Sequence, residues 1–372
     1  MQLKINTIKN IIMIFMILIN LAVCHGFQLF MTKNSNWNKN TNWNQLQFSI
    51  KENARNWFVK RAIRSGIPWN ELYEENVNNY NIIEKSKEKI ENKNIQYPEY
   101  YLKPFHGYDA GNMNWKAAQE AEGATLSISS RYWKGVSPIE AQEWMRNNVT
   151  QNVYKYIKGL NDGILYSPRK IIDIGCSVGI STEYLQDAFP KETKIYGLDL
   201  SPYFLGVADY RACQKNRNIQ YIHANAEKTN FDSLSFDLVI CNFVFHELPE
   251  QAANSILKEM YRILNKNGIL AIVDIDPDYL DTMLNQNIFR KWAFESTEPH
   301  IYNYYLRNTQ EMMQNLGLRH ITKARNDPLN SIWFGVKGDY NYIKGKNPLD
   351  LIDSRENDMD MQKNFELRSI FI

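Results

Sequence analysis

From residue 168 to about residue 337, short apolar and β-branched runs alternate with longer stretches whose apolar positions recur every three or four residues. Lys170-Ile-Ile-Asp-Ile174 reads as a buried strand ending at a glycine. Ile180 to Phe189 reads as a helix with Ile180, Tyr184, Leu185 and Ala188 on its apolar face. Lys194 to Leu198 is the next strand and Pro202 to Cys213 the next helix. Ile219 to Ile222 and Phe236 to Cys241 are further strands, followed by a strongly amphipathic helix, Gln251 to Leu264, with Ile256, Met260, Ile263 and Leu264 in one stripe. Ile269 to Val273 is a fifth strand, and the runs His320 to Ala324 and Ser331 to Val336 suit an antiparallel edge pair. Strands separated by helices of about 10–15 residues predict an α/β fold with a doubly wound, largely parallel, Rossmann-like sheet.

The flanks differ from this core. Residues 67–167 alternate charge with aromatics and read as a helical N-terminal extension; Ser137 followed by Pro138 supplies an N-cap and an N1 proline. Residues 339–372 form a polar tail. Residues 1–26 have the parts of a signal peptide: Lys4 and Lys9, then an apolar run from Ile11 to Val23, then small residues around Gly26. That run is shorter than the ~20 residues a spanning helix needs, so no integral membrane domain is expected in the mature chain. Residues 27–66 hold seven basic side chains and one acid, Glu52. A basic, acid-poor stretch behind a signal peptide resembles the bipartite leader of plastids enclosed by extra membranes. A secreted protein or a single N-terminal anchor are the alternatives.

Charge and cysteine content exclude more than they suggest. Lys+Arg 43 against Asp+Glu 41 gives no field to recruit nucleic acid. The four cysteines form no CxxC pair, so neither a zinc knuckle nor a disulfide framework is expected, and no metal.

The chemistry concentrates at the predicted strand ends. In an open α/β sheet, ligands bind outside the carboxyl ends of the strands, beside the first one. There the chain runs Asp173-Ile-Gly175-Cys-Ser-Val-Gly179. A dinucleotide loop wants GxGxxG, whose middle glycine lets a pyrophosphate approach; this chain has Ser177 there and no third glycine. S-adenosyl-methionine carries no phosphate and has a zwitterionic end and a sulfonium, for which the acid Asp173 is useful. Asp199, ending the second strand, can accept both ribose hydroxyls, a feature NAD sites share. Asn225, after the third strand, offers a carbonyl to an adenine amino group.

In this order, these motifs resemble the class I methyltransferases, and within them the type-11 group that includes ubiquinone and menaquinone biosynthesis enzymes. Asp173, Gly175 and Gly179 match the group's first motif and Asp199 its second acid. Ala224-Asn-Ala-Glu227 departs from its usual Gly-Asp-Ala-Glu. Cys241-Asn-Phe-Val-Phe-His-Glu-Leu-Pro249 and Leu264-Asn-Lys-Asn-Gly268 are also similar to it. The resemblance covers roughly residues 168–336 and implies a seven-stranded sheet, S-adenosyl-methionine as cofactor and a small-molecule acceptor. Cys176, Leu200, Ala226 and Asn242 join Asp173, Gly175, Gly179, Asp199 and Asn225 as expected cofactor contacts.

For the acceptor, the strand-end residue His246 is the candidate general base, a role worth about 10²–10⁴-fold; a backbone-binding histidine is the alternative. Glu247, Asp274 and Asp276 read as loop-capping acids. Asn242-Phe-Val-Phe is not the Asn/Asp-Pro-Pro-aromatic element of amino-group methylation, and Cys241 lacks the Pro-Cys setting of cytosine chemistry. By elimination a small apolar or aromatic acceptor remains, and the resemblance implies O- or C-methylation of an aromatic or prenylated one. His106, Tyr108 and Asp109, in an aromatic stretch from Tyr97 to Trp115, and Glu298, His300 and Tyr304 are the substrate-side candidates. A non-catalytic cofactor-binding or assembly protein, and an NAD-linked oxidoreductase, are the competing readings.

Overall fold

A computed structural model describes residues 55–56, 58–106, 108–133, 135–160, 167–280 and 300–338. The signal-like segment, most of the basic segment, Glu298 and the polar tail lie outside the described residues. The chain divides into two compact units, residues 1–60 and 61–372, and the second holds everything that follows.

That unit opens with helices α1 (Trp69–Asn78), α2 (Tyr80–Ile90), α3 (Trp115–Ser129) and α4 (Pro138–Leu160). The N-terminus of α4 is a reciprocal capping box. The Glu140 N–H donates to Ser137 Oγ at 3.2 Å, while Glu140 Oε2 accepts from the Ser137 N–H at 3.2 Å and the Ser137 hydroxyl at 2.7 Å. The helix that Pro138 opens continues to Leu160, because Met145, Val149, Val153, Tyr156, Ile157 and Leu160 keep one face buried.

The sheet follows: β1 (Lys170–Ile174), α5 (Ile180–Ala188), β2 (Lys194–Asp199), α6 (Pro202–Gln214), β3 (Ile219–His223), β4 (Phe236–Asn242), α7 (Glu250–Ile263), β5 (Leu264–Ile275), α8 (Ile301–Tyr305), α9 (Thr309–Asn315), β6 (Arg319–Arg325) and β7 (Asn330–Val336). These seven strands run in the order β3-β2-β1-β4-β5-β7-β6. All pairs from β3 to β5 are parallel; β7 is antiparallel to both β5 and β6. This is the seven-stranded class I methyltransferase arrangement that the pattern and the resemblance predicted. The predicted edge pair forms, with β7 inserted between β5 and β6.

Alternation along the strands assigns the two faces. Ile172, Ile174, Val239, Cys241, Leu270 and Ile272 pack with α7 on one side. Ile171, Leu238, Ile240, Ala271 and Val273 pack with α4 and α5 on the other. Strand order reverses at β1, whose neighbours are β2 and β4, so the crevice above β1 is where such a sheet binds ligands. Among the described residues no helix is long and apolar enough to cross a membrane, and no cluster of metal-ligating side chains occurs.

Candidate functional site

The loop after β1 is pinned from below and from the side. The N–H groups of Gly175 and Cys176 both donate to the Leu198 carbonyl, at 2.7 and 2.9 Å, and the Ser177 N–H donates to Asp199 Oδ2 at 2.8 Å. Two glycines are required by space and by φ. A Cβ on Gly175 (φ 73°) would come within 2.5 Å of Val244 Cγ2, and one on Gly179 (φ 80°) within 2.2 Å of the Tyr221 hydroxyl. Cys176 sends its side chain into the core beside Leu205, Ala208 and Tyr221, leaving its backbone to the crevice. Burial pushes its thiol well up. Cys241 is fully buried in β4, and burial likewise raises its thiol.

Asp173, one residue before the end of β1, has no exposed surface. It accepts hydrogen bonds from Ser181 Oγ (2.6 Å), Thr182 Oγ1 (2.8 Å) and Asn242 Nδ2 (2.9 Å). Asn242 ends the adjacent strand β4, and its Oδ1 is buried without a hydrogen-bond partner. Asp199 ends β2, 8 % exposed, and also accepts from the Ser201 N–H at 2.8 Å. Burial pushes its carboxyl up to about 6 against the lowering effect of the Ser201, Ser177 and Leu200 backbone N–H groups.

Beyond β3 the side chains first serve their own turn. Asn225 Oδ1, offered by the sequence to adenine, accepts the Glu227 N–H at 2.8 Å and closes its own turn. Ala226 is half-buried against the core. The conspicuous group is His223, which the sequence reading passed over. Its Nδ1 accepts the Asn92 N–H at 2.9 Å. Its Nε2 lies 3.0 Å from the Leu200 carbonyl and 3.2 Å from the Tyr97 hydroxyl. With Nδ1 accepting, the proton sits on Nε2, and burial lowers this histidine's pKa. Tyr100 donates to Glu227 Oε1 at 3.0 Å, and Ser201 Oγ donates to the Asn112 carbonyl at 2.7 Å. The segment from Tyr97 to Asn112 is thereby tied to the ends of β2 and β3. Within it, Tyr101 has its phenol raised well above normal by burial and by the nearby charges of Asp199 and Glu247.

His246 lies in the single 3-10 turn after β4, Phe245–Glu247. Its Nδ1 is 2.7 Å from Asp274 Oδ1, and its N–H donates to Asp274 Oδ2 at 3.1 Å. Asp274, near the end of β5, is fully buried and also accepts the Ile275 N–H at 2.8 Å. It therefore caps the loop, as expected, and holds an imidazole as well. His246 Nε2 is 3.9 Å from Glu247 Oε1, and His106 Nε2 is 3.6 Å from the same oxygen. Tyr304 sets its ring edge against His246 with centroids 6.3 Å apart, but it is 1 % exposed and its hydroxyl donates to the Ile275 carbonyl at 2.5 Å. Tyr304 is a wall of the turn rather than a group open to substrate, because a buried phenol needs an acceptor. Asp276 is bound by Lys323 Nζ (2.9 Å) and Ser331 Oγ (2.6 Å), which outweigh its burial and hold its pKa low.

The remaining candidates scatter. Tyr108 packs on the helical extension and donates to Glu120 Oε2 at 2.5 Å. Asp109 is exposed, and His300 is the N-cap residue of α8. His106, of the first substrate-side group, meets the turn that carries His246.

Comparison with known proteins places this geometry. Residues 172–272 match the model of a methyltransferase domain of type 11. The chain is 32 % identical over 107 residues to a demethylmenaquinone methyltransferase of Geobacillus stearothermophilus, covering 28 % of this chain and 45 % of that protein. It is 32 % identical over 151 residues to a malonyl-[acyl-carrier protein] O-methyltransferase of Legionella pneumophila, covering 41 % and 50 %. An uncharacterized methyltransferase of Synechocystis is 32 % identical over 115 residues, covering 31 % and 51 %. The chain spans about half the length of these relatives. With the sheet order and the loop after β1, the match identifies residues 172–272 as a class I, S-adenosyl-methionine-dependent methyltransferase domain of the type-11 group.

Proposed function

We propose that this protein methylates a small aromatic or prenylated acceptor at oxygen or carbon, with S-adenosyl-methionine as donor. One observation carries the reading: the Asp173–Gly179–Asp199 cradle stands at the same sheet edge as the His246–Asp274 pair. Residues present suit the cofactor, since Asn242 Oδ1 is a buried acceptor lacking a donor and the two glycines leave the loop backbone open. When bound, the cofactor supplies an electrophilic methyl group on sulfur. Asp199 would accept the ribose hydroxyls, and Asn242 with Asp173 would face the amino-acid end. His246 takes the acceptor's proton at Nε2, because Asp274 holds the Nδ1 proton. Taking that proton would leave the acceptor oxygen or carbon with a free electron pair, the nucleophile that methyl transfer needs. The segment from Tyr97 to Asn112 excludes water over the cofactor side.

Calorimetric titration with S-adenosyl-homocysteine and with NADH tests the reading. The first should bind and the second should not; NADH binding alone would overturn it. Asp199→Ala should weaken S-adenosyl-homocysteine by about 2–4 kcal/mol, as expected for truncating a buried charged acceptor. Affinity should also fall as pH drops through about 6, where Asp199 takes up a proton. In the unliganded protein the sign is opposite: the raised value favours the fold at acidic pH, and that contribution is lost as pH rises through about 6. For location we propose a plastid, on the signal-like and basic segments alone; a fluorescent fusion of residues 1–70 retained in the secretory pathway would reject it.

A further inference from the structure

Helix α4 carries a charge that the described residues leave unanswered. Arg146 is 8 % exposed, its Nε has no hydrogen-bond partner, and its guanidinium lies over the Phe243 ring, 5.2 Å from the centroid. Among the described residues no carboxylate forms an ion pair with it. The acidic groups that face it are Asp173, Tyr184, Tyr132 and Asp327. Both carboxylates are already engaged: Asp173 by Ser181, Thr182 and Asn242, and Asp327 by Asn326, Asn330 and the Leu329 N–H. A buried guanidinium is stable only with a partner.

Strand alternation places this charge. Ile171, Leu238 and Ile240 face α4, so Asp173 and Asn242, two residues further along β1 and β4, turn to the same side. Phe243, under the guanidinium, directly follows Asn242 and has a positive φ of 59°, which turns the chain at the sheet edge. Arg146 thus lies over the neighbour of Asn242, and the two side chains carry buried atoms with opposite needs: Arg146 Nε, a donor without an acceptor, and Asn242 Oδ1, an acceptor without a donor. An α-amino acid zwitterion meets both needs, its carboxylate on the arginine and its ammonium on the amide oxygen.

We propose that Arg146, outside the matched residues 172–272, anchors the α-carboxylate of the cofactor's amino-acid end, with Asn242 Oδ1 accepting from its ammonium. This rests on the proposed function. It makes the helical extension a part of the cofactor site as well as a cover.

The test compares S-adenosyl-homocysteine with 5′-methylthioadenosine, which keeps the adenosine and thioether but lacks the amino-acid end. Both are titrated calorimetrically into the full chain. The wild-type protein should prefer S-adenosyl-homocysteine. Arg146→Gln should weaken it by about 30-fold or more and leave 5′-methylthioadenosine unchanged. Equal losses for both compounds would make Arg146 a packing residue, and no loss for either would remove it from the site. Either result overturns the proposal. If Arg146→Gln does not fold, Arg146→Lys keeps the charge but loses the planar fork, and the same comparison decides. A wild-type protein that binds both compounds equally refutes this inference alone; one that binds neither refutes the proposed function.

Discussion

Asp274→Asn should lower kcat for methyl transfer to the acceptor by about 10²–10⁴-fold, the range for loss of a positioned general base. The dissociation constant of S-adenosyl-homocysteine should not change. The reasoning is tautomeric. Asp274 is fully buried and lies 2.7 Å from His246 Nδ1, so the imidazole keeps its proton there and presents a lone pair at Nε2. An amide in place of the carboxylate can donate to Nδ1 and move the proton to Nε2, where it blocks proton uptake. His246→Gln should match Asp274→Asn in kcat, and the double variant should be no worse than either, because the two act as a unit. Imidazole nitrogen-15 shifts should report Nδ1 protonated in the wild type and Nε2 protonated in Asp274→Asn. Full activity in both single variants would reduce the pair to a loop clamp.

Gly179→Ala should destabilise the fold by about 2–5 kcal/mol, combining about 1–2 for a left-handed non-glycine residue with about 1–3 for overpacking. Gly179 has φ 80°, and an added Cβ would lie 2.2 Å from the Tyr221 hydroxyl, 2.9 Å from its Cζ and 3.1 Å from Ala208 Cβ. Urea unfolding would measure the loss as a shift in midpoint at constant slope. Tyr221→Phe in the same background removes the nearest clash but not the dihedral cost, so it should restore only part of the stability. Full stability of Gly179→Ala would mean that the loop can move away from β3.

The residues that predicted the site were those whose role is local. Asp173, Gly175, Gly179 and Asp199 lie at strand ends, and a strand end can be read wherever a β-branched run meets a glycine or an acid. Helix boundaries were legible for the same reason, as with Ser137 capping α4 and Ile256, Met260 and Ile263 lining α7. Asn225 has a local partner that no spacing along the chain announces: the N–H of Glu227, two residues on, donates to its side-chain carbonyl. Tyr304 was a substrate-side candidate, and only packing shows its hydroxyl committed to the Ile275 carbonyl.

Sequence alone therefore determined the doubly wound sheet, the loop after its first strand and the cofactor class, since burial period and turn stereochemistry are set by near neighbours. Tertiary structure alone decided which distant groups meet. His246 and Asp274 are 28 positions apart and are joined by the parallel register of β4 with β5, Asn242 opposite Val273. His223 meets Asn92 across 131 positions, and Arg146 reaches Phe243 from a helix before the sheet begins. No pattern along the chain encodes such pairs, because they depend on strand order and on the line along which α4 crosses the sheet.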